Sequence, residues 1–279
     1  MIFTIFSAAG LSVRREDADM AKLGIFSWFS YPMPIEARFR LIREAGFEAT
    51  ALWWGDEDDG DKQVQPELAR KHGLELDYIH APFDDPNLLW AEGIDGEEYV
   101  KLLTDCMEDC ARHEIPTLAA HITRLSARPA VTEIGMERIK RLTEHAERTR
   151  VKLALENMNC IPHLERIFTE VKSEYLGFCY DSGHEHCNHP DANCLGRWGK
   201  RLFAVHLGDN LGEDDTHLLP YDGSIDWEVL REKLRVYAPR TLMLEADFNR
   251  RQKSSALYYD LTAAEFLARA YERAMKINF

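Results

Sequence analysis

The sequence has few cysteines and lacks long apolar runs, and each shortage excludes a class of protein. Its six cysteines in 279 residues show neither the density nor the spacing of a disulfide framework or a zinc knuckle. Cys106 and Cys110 lie at helical spacing. We therefore expect reduced thiols and a cytoplasmic protein. No apolar run approaches the roughly 18 residues that a membrane span needs, so we expect no membrane partner.

Basic residues are also in short supply. Lys and Arg total 34 against 48 Asp and Glu, which gives a formal net charge of -14. Such a charge repels a phosphate backbone and disfavours nucleic-acid binding unless a local basic groove exists. The composition therefore favours a small-molecule partner.

The first residues do not fit the pattern of a secretion signal. MIFTIFSAAGL is apolar, but Arg14 and Arg15 follow it instead of preceding it, whereas a signal peptide begins with its basic residues. We expect residues 1–20 to be a disordered or peripheral extension, and residues 21–279 to form the folded domain.

What the sequence does contain is an alternation of short apolar runs and longer amphipathic stretches, which is typical of repeated βα units. A single domain of this length fits a (β/α)8 TIM barrel. The strands are predicted at 22–28, 47–54, 74–80, 116–121, 151–156, 175–181, 201–207 and 241–246. The helices are predicted at 34–45, 64–72, 96–113, 132–149, 163–171, 191–199, 226–237 and 254–275.

Ionisable side chains end six of the eight predicted strands, and in a barrel these ends meet at the catalytic face. Three clustered carboxylates would repel one another unless a cation neutralised them, so the pattern predicts a divalent metal. Three oxygen ligands and one imidazole suit Mn²⁺, which we favour, with Zn²⁺, Mg²⁺ or Co²⁺ as alternatives. Taken alone, Asp181 fits a helix N-cap or a salt-bridged strand end equally well. The six residues are His80, His121, Glu156, Asp181, His206 and Glu245, of which Glu156, Asp181, His206 and Glu245 are the predicted ligands.

Further polar residues extend this candidate site. His80 and His121 either orient the ligands or bind substrate. His184 lies three residues after Asp181, and Asp215 and His217 form a D-x-H motif in a polar loop. Packing does not explain a histidine there, so a functional role is favoured for His217.

Aromatic residues gather near the ends of the same strands. We predict that Trp28, Trp54 and Trp90 form apolar platforms for the C–H face of a sugar, and that Trp53 packs in the core. Arg124 and Arg250 could bind a phosphate or carboxylate, although a solvated surface charge is favoured for each.

From residue 22 to 275 the chain resembles the sugar phosphate isomerase/epimerase superfamily of xylose isomerase-like TIM barrels, which also contains endonuclease IV. The segments that carry the resemblance are IHAPF (79–83), AAH (119–121), ALENM (154–158), CYDSGH (179–184), VHLGDN (205–210), DTHLLP (215–220), DGSIDW (222–227) and MLEAD (243–247).

The resemblance implies a metal-dependent isomerase or epimerase of a sugar, sugar phosphate or polyol. Glu156, Asp181, His206 and Glu245 would bind the metal, the two glutamates would also serve as acid and base, and His184 would contact substrate. The chemistry would be proton transfer through a metal-stabilised enediolate. The resemblance also implies a homodimer or homotetramer.

Other functions remain open at this point. An endonuclease IV-like abasic-site nuclease would bind three zinc ions through residues equivalent to all nine of the polar residues named above, although the net charge disfavours it. A keto-polyol or hydroxy-acid dehydratase and a non-catalytic sugar-binding barrel are further alternatives. The sequence departs from the family pattern at two places that bear on the interpretation as a sugar isomerase. Pro220-Tyr221-Asp222-Gly223 replaces the usual Pro-Gly-x-Gly, which would reshape the loop over the site. No Arg follows the ligand His in LGDNLGED, which argues against a free-ketohexose 3-epimerase.

Overall fold

A computed structural model describes residues 21–56, 61–126, 128–248 and 253–279. The expected extension, residues 1–20, and Arg250 lie outside the described residues. None of the described helices is long and apolar enough to cross a membrane.

Eight parallel strands form one sheet in the order β7-β6-β5-β4-β3-β2-β1-β8. The sheet closes between its two outer strands, where Leu207 N donates to Met243 O at 2.9 Å and Glu245 N donates to Leu207 O at 3.1 Å. This architecture confirms the predicted (β/α)8 barrel. The strands are β1 Lys22–Phe26, β2 Ala49–Trp53, β3 Glu75–His80, β4 Thr117–Ala120, β5 Lys152–Glu156, β6 Leu176–Asp181, β7 Leu202–His206 and β8 Thr241–Leu244.

Helices connect the strands and cover the outside of the barrel. Two differ from the prediction. A helix follows β6 directly, and the last helix begins at Ala263, because Thr262 and Glu265 form a capping box there. The helices are α1 Ile35–Glu44, α2 Gln65–Lys71, α3 Ile94–Arg112, α4 Glu133–Thr149, α5 Ile161–Glu170, α6 Ser182–Asn188, α7 Cys194–Trp198, α8 Trp227–Tyr237 and α9 Ala263–Ile277.

The strands are buried on both faces, since one face fills the barrel and the other packs on helices. All six residues of β6 are buried. Helix α4 presents Ile139, Leu142 and Ala146 to the core at helical spacing. The buried guanidinium of Arg138 in the same helix donates to the carbonyls of Leu88 and Leu89 at 3.0 Å. This residue therefore fixes the long connection after β3 to the barrel.

The long connection after β7 is held by two buried carboxylates. Asp209 accepts hydrogen bonds from Tyr221 N at 3.0 Å and from Trp227 Nε1 at 2.7 Å. Asp222 pairs with Arg273 of α9 at 2.7 Å. Tyr221, in the segment that departs from the family pattern, has a φ of 70°, a conformation that favours glycine. These contacts hold the connection over the C-terminal end of the barrel.

Candidate metal centre

Four side chains from consecutive strands converge at this end of the barrel. Glu156, Asp181 and His206 end β5, β6 and β7, and Glu245 directly follows β8. One potential ligand atom from each lies within 4.8 Å of the others. His206 Nδ1 lies 2.8 Å from Glu245 Oε2, 3.2 Å from Glu156 Oε2 and 3.8 Å from Asp181 Oδ2. The structure thus brings the four sequence-predicted ligands together.

Several polar atoms of this group are buried without a well-directed hydrogen bond to any described residue. They include both carboxylate oxygens of Glu156, both ring nitrogens of His206 and Glu245 Oε2. Buried polar atoms are normally satisfied, because leaving one without a partner costs about 1–3 kcal/mol. Three carboxylates and an imidazole match the donor set of a divalent cation such as Mn²⁺ or Zn²⁺. The donor set and its unsatisfied atoms therefore fit a metal ion.

The electrostatics of the group are strongly coupled. Burial raises the pKa of the Glu156 carboxyl, but His206 and His121 outweigh it and hold this pKa well below its usual value. Burial also raises the pKa of the largely buried Glu245, yet His206 lowers it to about 2. Burial raises the pKa of Asp181 to about 7, with the negative charge of Glu156 adding to the effect. A bound cation would take over the compensation that protonated imidazoles provide here.

The two carboxylate oxygens of Asp181 have different partners. Its Oδ1 accepts a hydrogen bond from His184 N at 2.6 Å and caps α6, while Oδ2 faces His206. The two interpretations that the sequence left open for Asp181 are therefore compatible, because each uses a different oxygen.

His80 and His121 contact Glu156 from the side of β3 and β4. Their Nε2 atoms lie 3.5 Å and 3.2 Å from Glu156 Oε2. His80 Nδ1 lies 2.7 Å from Ala81 O, so Nδ1 carries the proton and Nε2 faces the carboxylate. Burial lowers the pKa of His121. All six strand-end residues thus lie in one cluster.

A second polar group adjoins the first through His184. His184 Nδ1 lies 2.9 Å from Glu156 Oε1, and its Nε2 lies 3.1 Å from Asp215 Oδ2. His217 Nε2 lies 3.0 Å from the same Asp215 oxygen. Burial alone would lower the pKa of both histidines. Asp181 and Asp215 hold the pKa of His184 well above its usual value, and Asp215 does the same for His217. The nine polar residues predicted from the sequence are therefore contiguous.

The cluster opens into two cavities, which share Phe83, His217 and Glu245. The first, the aromatic lobe, has a volume of about 750 Å³, and the second, the acidic lobe, about 510 Å³. The aromatic lobe is lined by Phe26, Trp28, Pro32, Met33, Pro34, Trp53, Asp56, Ala246 and Asp247 besides the shared residues. The acidic lobe includes His121, Arg124, Glu156, His184, Glu213, Asp214 and Asp215.

The tryptophans are distributed differently from the prediction. Trp28, 37% exposed, lines the aromatic lobe as expected. Trp54 is fully buried on the outside of the barrel, where Nε1 donates to Asp109 Oδ2 of α3 at 2.8 Å. Its neighbour Trp53 instead lines the aromatic lobe and packs on Phe83 at 4.8 Å. The positions predicted for the two rings are therefore wrong, because Trp53 lines the lobe and Trp54 packs in the core.

The prediction for Trp90 is also wrong. Its Nε1 donates to Ile122 O at 2.6 Å, and its ring packs against His163 with centroids 4.4 Å apart. Trp90 is buried in a 3-10 turn, Pro86–Trp90, and does not line either lobe. It anchors the connection after β3 and cannot form a platform for a sugar.

Sequence reasoning missed several residues that line the lobes. Phe83 is 51% exposed beside the cluster and lies in the IHAPF segment, so its position three residues after a strand-end His was the available signal. Asp247 follows Glu245 by two residues and accepts a hydrogen bond from Ser30 Oγ at 2.8 Å.

Arg124 at the acidic lobe pairs with Asp85 at 3.0 Å, as expected for a surface charge.

The fold and the converging side chains define a (β/α)8 barrel with a polar centre at the C-terminal ends of its strands. The family model for the xylose isomerase-like TIM barrel matches residues 39–261. The chain belongs to this family.

Among similar proteins, the uncharacterised protein y4fM of Sinorhizobium fredii is 27% identical over 293 aligned positions, which cover 88% of this chain and 93% of that protein. A solved structure of a D-tagatose 3-epimerase-like protein matches with a TM-score of 0.69 and 20% identity, covering 91% of this chain and 98% of the other. The IOLI protein with a bound zinc atom matches with a TM-score of 0.71 and 18% identity, covering 92% and 96%. These two likenesses support the fold.

Proposed function

We propose that the chain is a divalent-metal-dependent isomerase or epimerase that moves a proton at a carbon next to a carbonyl group of a small sugar or polyol derivative. The observation that carries the proposal is the buried convergence of Glu156, Asp181, His206 and Glu245, with polar atoms that no described residue satisfies. The similarity to an epimerase-like structure and to a zinc-containing one supports it. We favour Mn²⁺, with Zn²⁺, Mg²⁺ or Co²⁺ as alternatives.

The four ligands would hold the ion, which when bound would polarise a substrate carbonyl and offset the negative charge that develops on proton removal. Glu156 and Glu245 each place an oxygen near His206 Nδ1, at 3.2 and 2.8 Å. Glu245 is 18% exposed and borders both lobes, whereas Glu156 borders the acidic lobe. A substrate that spans the lobes would therefore meet two different carboxylates.

These two carboxylates supply the acid and the base. One, in its ionised form, would take the proton next to the carbonyl, and the other, protonated from solvent, would donate a proton to the resulting enediolate. Return to the same carbon from the opposite face gives the epimer, and return to the neighbouring carbon gives the isomer. Both ring nitrogens of His184 face carboxylates, Glu156 and Asp215, so His184 would donate a hydrogen bond to a substrate oxygen only by exchanging one of these contacts.

Hydrogen exchange tests the proposal without knowledge of the product. The protein is incubated in deuterated water with a panel of ketoses and keto-inositols, and deuterium at carbon is followed by NMR. We expect the wild type to exchange one proton next to the carbonyl of at least one compound, and Glu245→Gln to lose this activity while it stays folded. Absence of exchange across the panel in metal-loaded protein would contradict the proposal and favour a non-catalytic sugar-binding barrel.

The abasic-site nuclease remains a second candidate because the nine residues that its three-zinc site requires lie together. Against it, the described lining of both lobes contains Arg124 as its one Lys or Arg side chain, and a DNA backbone needs several cations. Cleavage of an abasic-site duplex with three zinc ions per chain would establish the nuclease. A dehydratase shares the first proton removal but expels a hydroxyl, so the product mass separates it from an isomerase.

A further inference from the structure

We infer that the substrate of this site carries no phosphate or carboxylate group, and that its end remote from the reacting carbons presents an apolar surface to the aromatic lobe. The inference rests on the proposed function, which places the reacting carbons beside Glu156 and Glu245. It is carried by the distribution of charge and of apolar side chains along the two lobes.

The aromatic lobe has a polar end and an apolar end. His217 and Glu245 lie at the polar end, next to the cluster. Trp28, Met33 and Trp53 line the apolar part. Two prolines and two phenylalanines complete it, namely Pro32, Pro34, Phe26 and Phe83. Most of the solvent-accessible lining is therefore carbon. Such a surface binds C–H faces and methyl groups by excluding water.

Carboxylates dominate the charge along the aromatic lobe. Asp56, Glu245 and Asp247 carry them, and the described lining includes no Lys or Arg. His217, the one imidazole of this lining, already faces a carboxylate of the acidic lobe at 3.0 Å. Ser30 occupies one oxygen of Asp247 through a hydrogen bond of 2.8 Å. A phosphate dianion away from the metal centre would lose its hydration with no described Lys or Arg of this lobe to pair with it, which is unfavourable in a partly enclosed cavity.

The acidic lobe offers no better site for an anion. Glu213, Asp214 and Asp215 lie along it, and its one described Lys or Arg is Arg124. The Arg124 guanidinium already donates to Asp85 Oδ1 at 3.0 Å and to Asp84 O at 2.9 Å. Within the described lining of both lobes, therefore, the one Lys or Arg side chain already has acceptors, and His184 and His217 both face Asp215.

Three ligands that differ only at the remote carbon test the inference. Each D-ketohexose is compared with its 6-deoxy and 6-phosphate derivatives, and equilibrium binding to the metal-loaded protein is followed by tryptophan fluorescence, since Trp28 and Trp53 line the aromatic lobe. We expect the 6-deoxy compound to bind at least as tightly as the parent, and the 6-phosphate at least tenfold more weakly. Equal or tighter binding of the phosphate would overturn the inference, and so would binding by none of the compounds.

A charge introduced into the lobe sharpens the test. Met33→Arg places a cation at the aromatic lobe. We expect it to reduce several-fold the ratio of the Kd of the 6-phosphate to the Kd of the parent ketohexose, which is the penalty for the phosphate. Val236→Arg, on α8 at a position 74% exposed, is the matched control and should leave this penalty unchanged. An unchanged penalty in Met33→Arg would count against the inference.

Failure of the proposed function would look different. If the neutral compounds bind and the phosphate does not, but no deuterium enters any of them, the proposed proton transfer fails while the inference about the ligand stands. If the phosphate binds best and also exchanges deuterium, the proposed function stands and the inference fails.

Discussion

Carboxylates at the two ends of the barrel differ in their exposure and in their partners. At the N-terminal end of the strands, Glu75 pairs with Lys22 and, at 2.9 Å, with Arg240, and all three side chains are about half exposed. At the C-terminal end, Glu156 and Glu245 are largely buried, and the nitrogen partners that the structure describes for their carboxylates are imidazoles. At the N-terminal end the carboxylate is paired with cations of the protein, whereas at the C-terminal end several buried polar atoms lack a well-directed hydrogen bond.

This difference separates a stabilising interaction from a binding site. An exposed ion pair contributes little and costs little when it is lost. Buried carboxylates that repel one another are unfavourable unless something compensates them. Three such carboxylates converge at consecutive strand ends here, which supports the proposed metal site.

The largest expected effect is on activity. Glu245→Gln removes a proposed metal ligand that also serves as acid or base, so we expect the exchange rate to fall by at least about 10²–10⁴-fold. The measurement is deuterium incorporation into the ketose that the wild type exchanges best. Glu75→Gln at the opposite end is the matched control and should retain wild-type exchange. Equal losses in the two variants would remove the functional distinction between the two ends.

The second-largest effect is expected on the free energy of unfolding, through metal binding. At a metal concentration about 100 times Kd, binding to the folded state stabilises it by about 2.7 kcal/mol. Thermal unfolding with chelator and with added Mn²⁺ or Zn²⁺ measures this effect. We expect Glu75→Gln to respond like the wild type and Glu156→Gln to respond much less. A metal response that survives in Glu156→Gln would place the ion elsewhere.

Substitutions at Asp181 should separate its two roles. Asn keeps a side-chain oxygen for the α6 cap, whereas Ala removes it, so in the metal-free state Asp181→Ala should be about 1 kcal/mol less stable than Asp181→Asn. Denaturant unfolding in the presence of chelator gives this difference. Both variants should lose the stabilisation by metal. If Asp181→Asn kept it, the N-cap would be the whole role of Asp181.

The smallest effect is expected at the N-terminal end. Hydrogen bonding to Lys22 and the charge of Arg240 lower the pKa of Glu75 below its ordinary value of about 4.5. A lowered carboxyl pKa contributes stability above the unfolded-state value, and this contribution is lost as the pH falls through the folded-state value. Because the pair is exposed and screened, Glu75→Gln should cost at most about 1 kcal/mol at pH 7 and progressively less as the pH falls through the folded-state pKa. Denaturant titrations from neutral to acidic pH measure this change, and a cost that does not fall with the pH would show that packing, not charge, is involved.

The strands and the residues that end them could be predicted because both signals are local. An apolar run followed by His80, Glu156 or His206 is visible in the sequence, and the closed barrel brings the ends together. Helix α6 was missed because SGHEHCN has no apolar periodicity, although the capping Asp181 before it was a usable signal.

The tryptophans could not be assigned by the same means. A barrel strand is buried on both faces, so hydrophobicity does not reveal which of two neighbouring residues points toward the site. The register between β2 and β3 also shifts between Thr50 and Leu52, which breaks simple alternation before Trp53 and Trp54. For Trp90, the deciding contact is with Ile122, a long-range partner that no local pattern contains.

Elemental analysis of protein purified without chelator tests the central claim most directly. We predict about one tightly held divalent ion per chain in the wild type and in Glu75→Gln, and its loss in Glu156→Gln and Glu245→Gln. A wild-type protein that holds no divalent ion, together with unchanged ligand binding in Glu156→Gln, would contradict the account.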